Sequence, residues 1–166
     1  MTPLWPHIAI LGFVTAQRLI ELPIARANTA RLIAAGGHEV APGHYPLIVA
    51  VHAAWLAALW WFAPGQPISL PLLALFALVE VARVWVLRTL GPRWTTRIIV
   101  VPGERLVARG PYRFVSHPNY VVVAAEIALL PMVFGLWQIA ALFTLLNAAV
   151  LAVRIRAENR ALGRST

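Results

Sequence analysis

Two short polar runs hold most of the residues able to do chemistry in this chain. The first, RGPYRFVSHPNY at 109–120, sets Arg109, Arg113, Tyr112, Phe114 and His117 directly ahead of an apolar block. Pro118 suits the first turn of a helix, where unpaired backbone N–H groups, with Ser116, His117 and Asn119 beside them, can receive an anion. The second run, RIRAEN at 154–159, places Arg154 and Glu158 four residues apart and so on one helical face, with Asn147 and Leu151 further along it. Each run also has a plain account. The first reads as a helix start with interfacial aromatics and arginines meeting headgroups, the second as an intrahelical ion pair worth little energy.

Other polar residues fall inside apolar stretches. Glu80 and Arg83 are three apart, at a depth where charge is costly and usually paired. Glu126 lies seven residues beyond Asn119, which puts it on the face of the His-Pro-Asn-Tyr run; it points into the same cavity or partners an arginine. His52 reads as an interhelical hydrogen bond or, if an acceptor of pKa about 10 must lose a proton, as a base alongside Glu126. His44, in GHYP, reads as interfacial. No metal site is expected: a zinc site from His44, His52 and His117 has no H-E-x-x-H or similar spacing behind it, and the chain has no cysteine.

The elements that must position these residues follow from composition. Of 166 residues, 60% are apolar by type, 12% are charged, and mean hydropathy is +0.75. A soluble domain of this size cannot hide so much apolar surface, so lipid is part of its solvent. All fourteen basic residues are arginines and all six acids are glutamates, a net charge of +8. Nucleic acid is not the expected partner, because long uncharged segments interrupt the arginines.

Five spans are predicted, at about 4–22, 45–62, 68–90, 119–134 and 136–158, in one transmembrane domain over 1–166. The first lacks the basic leader of a cleaved signal peptide and reads as a retained helix. Pro23 is expected to end it, leaving a short surface helix that Gly36-Gly37 stops. The apolar block 120–153 would be about 51 Å long as one helix, too long for one crossing, so Pro131 and Gly135 are expected to fold it into a hairpin. Within the polar connection 91–119, IIVV reads as a short strand or extended loop. Arginines lie in or beside the connections after spans one, three and five, and none lies in the other two turns. The positive-inside rule then places the N-terminus outside and the large polar loop, with the C-terminus, in the cytoplasm of a bacterial inner membrane. The expected fold is all-α, with a cytoplasmic cofactor-binding loop and a C-terminal helix.

GPYRFVSHPNY, an apolar hairpin and RIRAEN together resemble the isoprenylcysteine carboxyl methyltransferase family of integral membrane enzymes. That family's pattern is G-x-Y, then R-H-P-x-Y, then, two helices later, an Arg and a Glu four apart. The likeness is specific over 101–162. Upstream, RLIELPIARANTARLIAAGGHEVAPGHYPLIVAVH is similar to a bacterial branch associated with O-methylation of alkylpyrones and alkylresorcinols. The resemblance implies a methyltransferase in which Arg105, Leu106, Val107, Tyr112, His117, Pro118, Asn119 and Tyr120 surround S-adenosylmethionine. By the same likeness Glu158 also binds this cofactor, and Arg154 meets the substrate's carboxylate.

Two departures stand out: Ser116 replaces the Arg that often precedes His-Pro, and Asn159 follows Glu158 where the family often has a second Glu. They favour a less charged acceptor, such as an enol or phenol on an alkyl chain, over a prenylcysteine carboxylate. The expected partners are a lipophilic or prenylated substrate and the bilayer. Competing readings are a phospholipid N-methyltransferase, an NADPH-dependent sterol-reductase-like enzyme and a non-catalytic membrane scaffold.

Overall fold

A computed structural model describes residues 3–161 and is mostly helical. Its elements run α1 (Trp5–Ala34), β1 (His38–Glu39), α2 (Tyr45–Phe62), α3 (Leu70–Leu90), β2 (Ile99–Val100), α4 (Pro118–Val133) and α5 (Trp137–Ala161). The end of the tail, 162–166, lies outside the described residues. Helices α1, α2, α3 and α5 are long and apolar enough to cross a membrane, which makes this an integral membrane protein. Helix α4 is apolar but only 16 residues, about 24 Å, which is short of a hydrocarbon core of about 30 Å.

Helix α1 corrects the expected break at Pro23, which lies inside one continuous 30-residue helix. Proline removes a single backbone donor, and burial of the face beyond it outweighs that loss. Ala25 and Asn28 are both buried. The Asn28 amide donates to the carbonyls of Trp94, at 2.8 Å, and Gly91, at 3.3 Å, so the end of α1 is bound to the polar loop. No separate surface helix forms at 24–34.

The IIVV run does form a strand. Ile99–Val100 pairs antiparallel with His38–Glu39, in register His38 to Val100 and Glu39 to Ile99. The hairpin turns at Gly135, whose φ of 69° lies in the left-handed region that glycine adopts without steric cost.

Helix α4 packs between α3 and α5, and α5 packs on α2. The core between them is Leu11 and Val14 of α1, Trp55 and Leu59 of α2, and Ile127 and Leu130 of α4. Trp55 closes one seam by donating its indole N–H to the Ile127 carbonyl at 3.2 Å. At the end away from the polar loop, the His7 ring bonds the Gln66 carbonyl at 2.8 Å and stacks on Phe134. Large apolar side chains such as Trp5, Trp61, Leu78 and Leu145 face outward, as a lipid surface requires.

Candidate active site

The polar loop is fixed before it can bind anything. After α3 the chain makes a 3-10 turn at Gly91–Arg93, and the bonds from Asn28 then hold Trp94 against α1. Arg97 pairs with Glu39 at 2.7 and 2.9 Å and lies over the Tyr45 ring at 4.2 Å, which locks the β-ribbon to the start of α2. Arg93 donates to the Arg105 carbonyl at 2.7 Å and pairs with Glu104, holding the segment that leads to Leu106 and Val107. Gly110 has a φ of 57°, and a Cβ there would lie 2.6 Å from the Thr89 hydroxyl. Only glycine lets the turn Gly110–Arg113 rest on the end of α3.

Pro118 starts α4, as expected, and brings His117 and Tyr120 beside the end of α5. Arg154 and Glu158 do not bond each other directly. The Tyr120 hydroxyl lies between them, accepting from Arg154 Nε at 2.7 Å and donating to Glu158 Oε2. Arg154 Nη1 donates to the Thr96 carbonyl at 2.8 Å, which ties the relay to the loop. His117 Nε2 donates to Asn159 Oδ1 at 3.1 Å, and its ring stacks on Tyr120 at 5.2 Å. Burial, and then the Glu158 carboxylate, push the Tyr112 hydroxyl well above its ordinary pKa of 10. That group therefore stays a proton donor through the working pH range.

These residues line a cavity of about 470 Å³. Arg105, Leu106, Val107, Tyr112, His117, Asn119, Tyr120, Arg154 and Glu158 all lie on its wall, and Ser116 joins them. Pro118 does not; it is buried at the helix start and acts through position.

A second, largely apolar cavity of about 280 Å³ lies deeper among the helices, lined by Leu19, Ile48, His52, Val123 and Val150 among others. Trp94, Thr95, Asn119, Tyr120 and Arg154 line both cavities. The two spaces thus meet at the Arg154–Tyr120 pair.

Glu126 lines neither cavity. It is 1% exposed and bound by Arg83 at 3.0 and 3.1 Å and by Arg18. Arg83, 3% exposed, also grips Glu21 at 2.8 and 2.5 Å. The structure therefore places Glu126 as an arginine partner and not on the cavity wall. Glu80 bonds Gln17 at 2.7 Å and makes no ion pair with Arg83 among the described residues. Trp94 and Thr96 had not stood out in the sequence. The signal for Trp94 was an indole in the polar connection, away from any span.

The match to known proteins agrees with this geometry. The model of the isoprenylcysteine carboxyl methyltransferase (ICMT) family matches residues 72–164, more than half of the chain. The chain belongs to that family. It is also 37% identical over 171 residues to the protein named Uncharacterized protein YpbQ of Bacillus subtilis (strain 168), with 95% of each chain covered. No solved structure matches it.

As a member of the isoprenylcysteine carboxyl methyltransferase family, the chain falls among membrane methyltransferases. The matched region holds almost the entire wall of the loop-lined cavity, and Arg154 and Glu158 with it. Helices α1 and α2 lie outside that region. They contribute Leu19, Ile48 and His52 to the second cavity, whose wall is completed by residues of the matched region such as Val123, Val150 and Arg154.

Proposed function

We propose that the protein transfers a methyl group from S-adenosylmethionine to the ionised oxygen of a lipophilic acceptor within the membrane, an enolate or phenolate that has already given its proton to water, with S-adenosylhomocysteine as the leaving group. The observation that carries this reading is the wall shared by the two cavities at Asn119, Tyr120 and Arg154. One space is of mixed polarity and lined largely by the loop, the other apolar and helix-lined, and a two-substrate reaction across a water–lipid boundary needs both.

The residues of the loop-lined cavity fit the cofactor. Its volume lies within the range of about 300–1,000 Å³ usual for small-molecule sites. Leu106, Val107 and Tyr112 suit an adenine, and Glu158 suits a ribose hydroxyl or an ammonium. Bound there, the cofactor supplies an electrophilic methyl on a sulfonium. Tyr120 holds Glu158 in place and keeps Arg154 from collapsing onto it. Arg154 keeps Nη2 without a partner among the described residues, free to hold the acceptor's oxygen. Apolar walls exclude water, and the shared wall aligns the two reactants. Glu126, bound by two arginines, holds helices together. The site residues otherwise keep the roles that the resemblance implies.

An enol or phenol acceptor fits better than a prenylcysteine carboxylate. Asn159 is engaged by His117, and Ser116 offers no positive charge for a carboxylate head. In the membrane we place α4 as a short fifth crossing, with the arginine-rich end in the cytoplasm of a bacterial inner membrane.

Two measurements test the reading. Titration of the purified protein with S-adenosylmethionine and with NADPH is expected to show binding of the first; binding of the nucleotide alone would overturn it. Mass spectrometry of membrane lipids from cells with and without the protein is expected to show a lipid pair differing by one methylene unit. A methyl found on a protein C-terminus instead would restore the prenylcysteine acceptor.

A further inference from the structure

The second cavity has a polar floor that methyl transfer alone does not use. Seven residues before Arg154 on α5, about 10 Å of axial rise, Asn147 lines this cavity. It is 3% exposed. His52 on α2 lines the same cavity, seven residues past Tyr45, whose hydroxyl meets Thr96 at the level of Arg154. Helices α2 and α5 pack together, and both residues line this one cavity.

His52 donates Nδ1–H to the Ile48 carbonyl at 2.8 Å, so the neutral ring keeps Nε2 as an acceptor. The charged residues on this floor bind one another, Arg18 and Arg83 to Glu21 and Glu126, with Arg18 Nε left as a buried donor without a partner among the described residues. Between the floor and Arg154 the wall is apolar, with Ile48, Val123, Val150 and Leu151. A plain hydrocarbon reaching the floor would leave a buried amide unpaired in a low-dielectric site.

We propose that Asn147 and His52 form a second recognition point for the acceptor, one that takes a hydroxyl roughly two helical turns from the oxygen held by Arg154. The occupant has to donate to His52 Nε2 and accept from Asn147 Nδ2 at once. A hydroxyl does both, a carbonyl satisfies only Asn147, and a methylene satisfies neither. The inference rests on the two-cavity methyltransferase reading and narrows its substrate class to amphipathic lipids with two oxygen functions, one methylated and one left free.

The test uses the full-length protein in detergent, methyl-labelled S-adenosylmethionine and a lipid extract from membranes lacking the protein. The labelled product from wild type is isolated and treated with acetic anhydride. Uptake of an acetyl group, showing a free hydroxyl beside the new methyl ether, is expected; a product that resists acetylation overturns the proposal. In parallel, Asn147→Leu is expected to raise the apparent KM for the extract about tenfold, the worth of one hydrogen bond, with the KM for S-adenosylmethionine unchanged. An unchanged KM for the extract counts against the subsite while leaving the methyltransferase reading intact. Failure of wild type to label any lipid removes that reading, and the subsite with it.

Discussion

At the scale of single residues, the Tyr120 hydroxyl decides how Arg154 and Glu158 divide their work. It accepts from one and donates to the other, so a cation and an anion one helical turn apart keep separate tasks. Tyr120→Phe removes the spacer and lets the pair close on itself. The expected result is a fall in kcat/KM of about 10–100-fold, equal to about 1.4–2.8 kcal/mol of lost transition-state binding, with little change in thermal stability. Glu158→Ala and Arg154→Ala separate the two tasks. The first is expected to abolish S-adenosylmethionine binding in a calorimetric titration. The second is expected to leave that binding within about twofold while turnover of lipid acceptor is lost. If both variants bind the cofactor as wild type does, the assignment of Glu158 fails. These residues were legible because their types and i,i+4 spacing are local features of the chain. The hydroxyl between them was not, since Tyr120 lies 34 residues from Arg154 and only the hairpin brings them together.

At the scale of elements, the charges inside the apolar helices show where local spacing misleads. Glu80 and Arg83 are three apart on α3, a spacing that reads as a pair, yet each bonds elsewhere: Glu80 to Gln17, Arg83 to Glu21 and Glu126. An arginine in a helix can reach any neighbouring helix, and the two carboxylates available on α1 and α4 satisfy its planar fork on both sides. The network therefore joins α1, α3 and α4, and it cannot be read from any one of them. Removing one partner strands a buried charge, a loss of about 3–5 kcal/mol. Arg83→Met is accordingly expected to lower the thermal midpoint in detergent sharply. Arg83→Met combined with Glu126→Gln, which neutralises both, should recover part of that stability; equal midpoints for the single and double variants would show that the residues do not act as a pair. The continuous α1 has the same lesson: Pro23 is a local stop signal, overridden by tertiary burial of Ala25 and Asn28 beyond it. The helices and the hairpin at Gly135 were legible because apolar length and turn residues are written locally. The pairing of β2 with His38–Glu39, far away in the chain, was not.

At the scale of the whole molecule, arginine distribution and site geometry point to the same end. The cavity that would hold S-adenosylmethionine lies among Arg93, Arg97, Arg105 and Arg154, whereas the opposite turns, at 63–67 and around Gly135, contain no arginine. A charged, water-soluble methyl donor made in the cytoplasm requires its site to open there. The positive-inside rule independently assigns the arginine-rich end to that side. The absence of cysteine makes the orientation directly measurable, since any introduced thiol is the single target of a maleimide. Gln66 and Arg113 are both exposed, one on each end of the bundle. Gln66→Cys is expected to react with a membrane-impermeant maleimide in intact spheroplasts, and Arg113→Cys only after permeabilisation. The reverse pattern would put the cofactor cavity on the outer face, away from its donor. Labelling of both in intact spheroplasts would place the two ends on one side, and so refute α3, the helix that joins them, as a crossing in the arrangement drawn from the arginines.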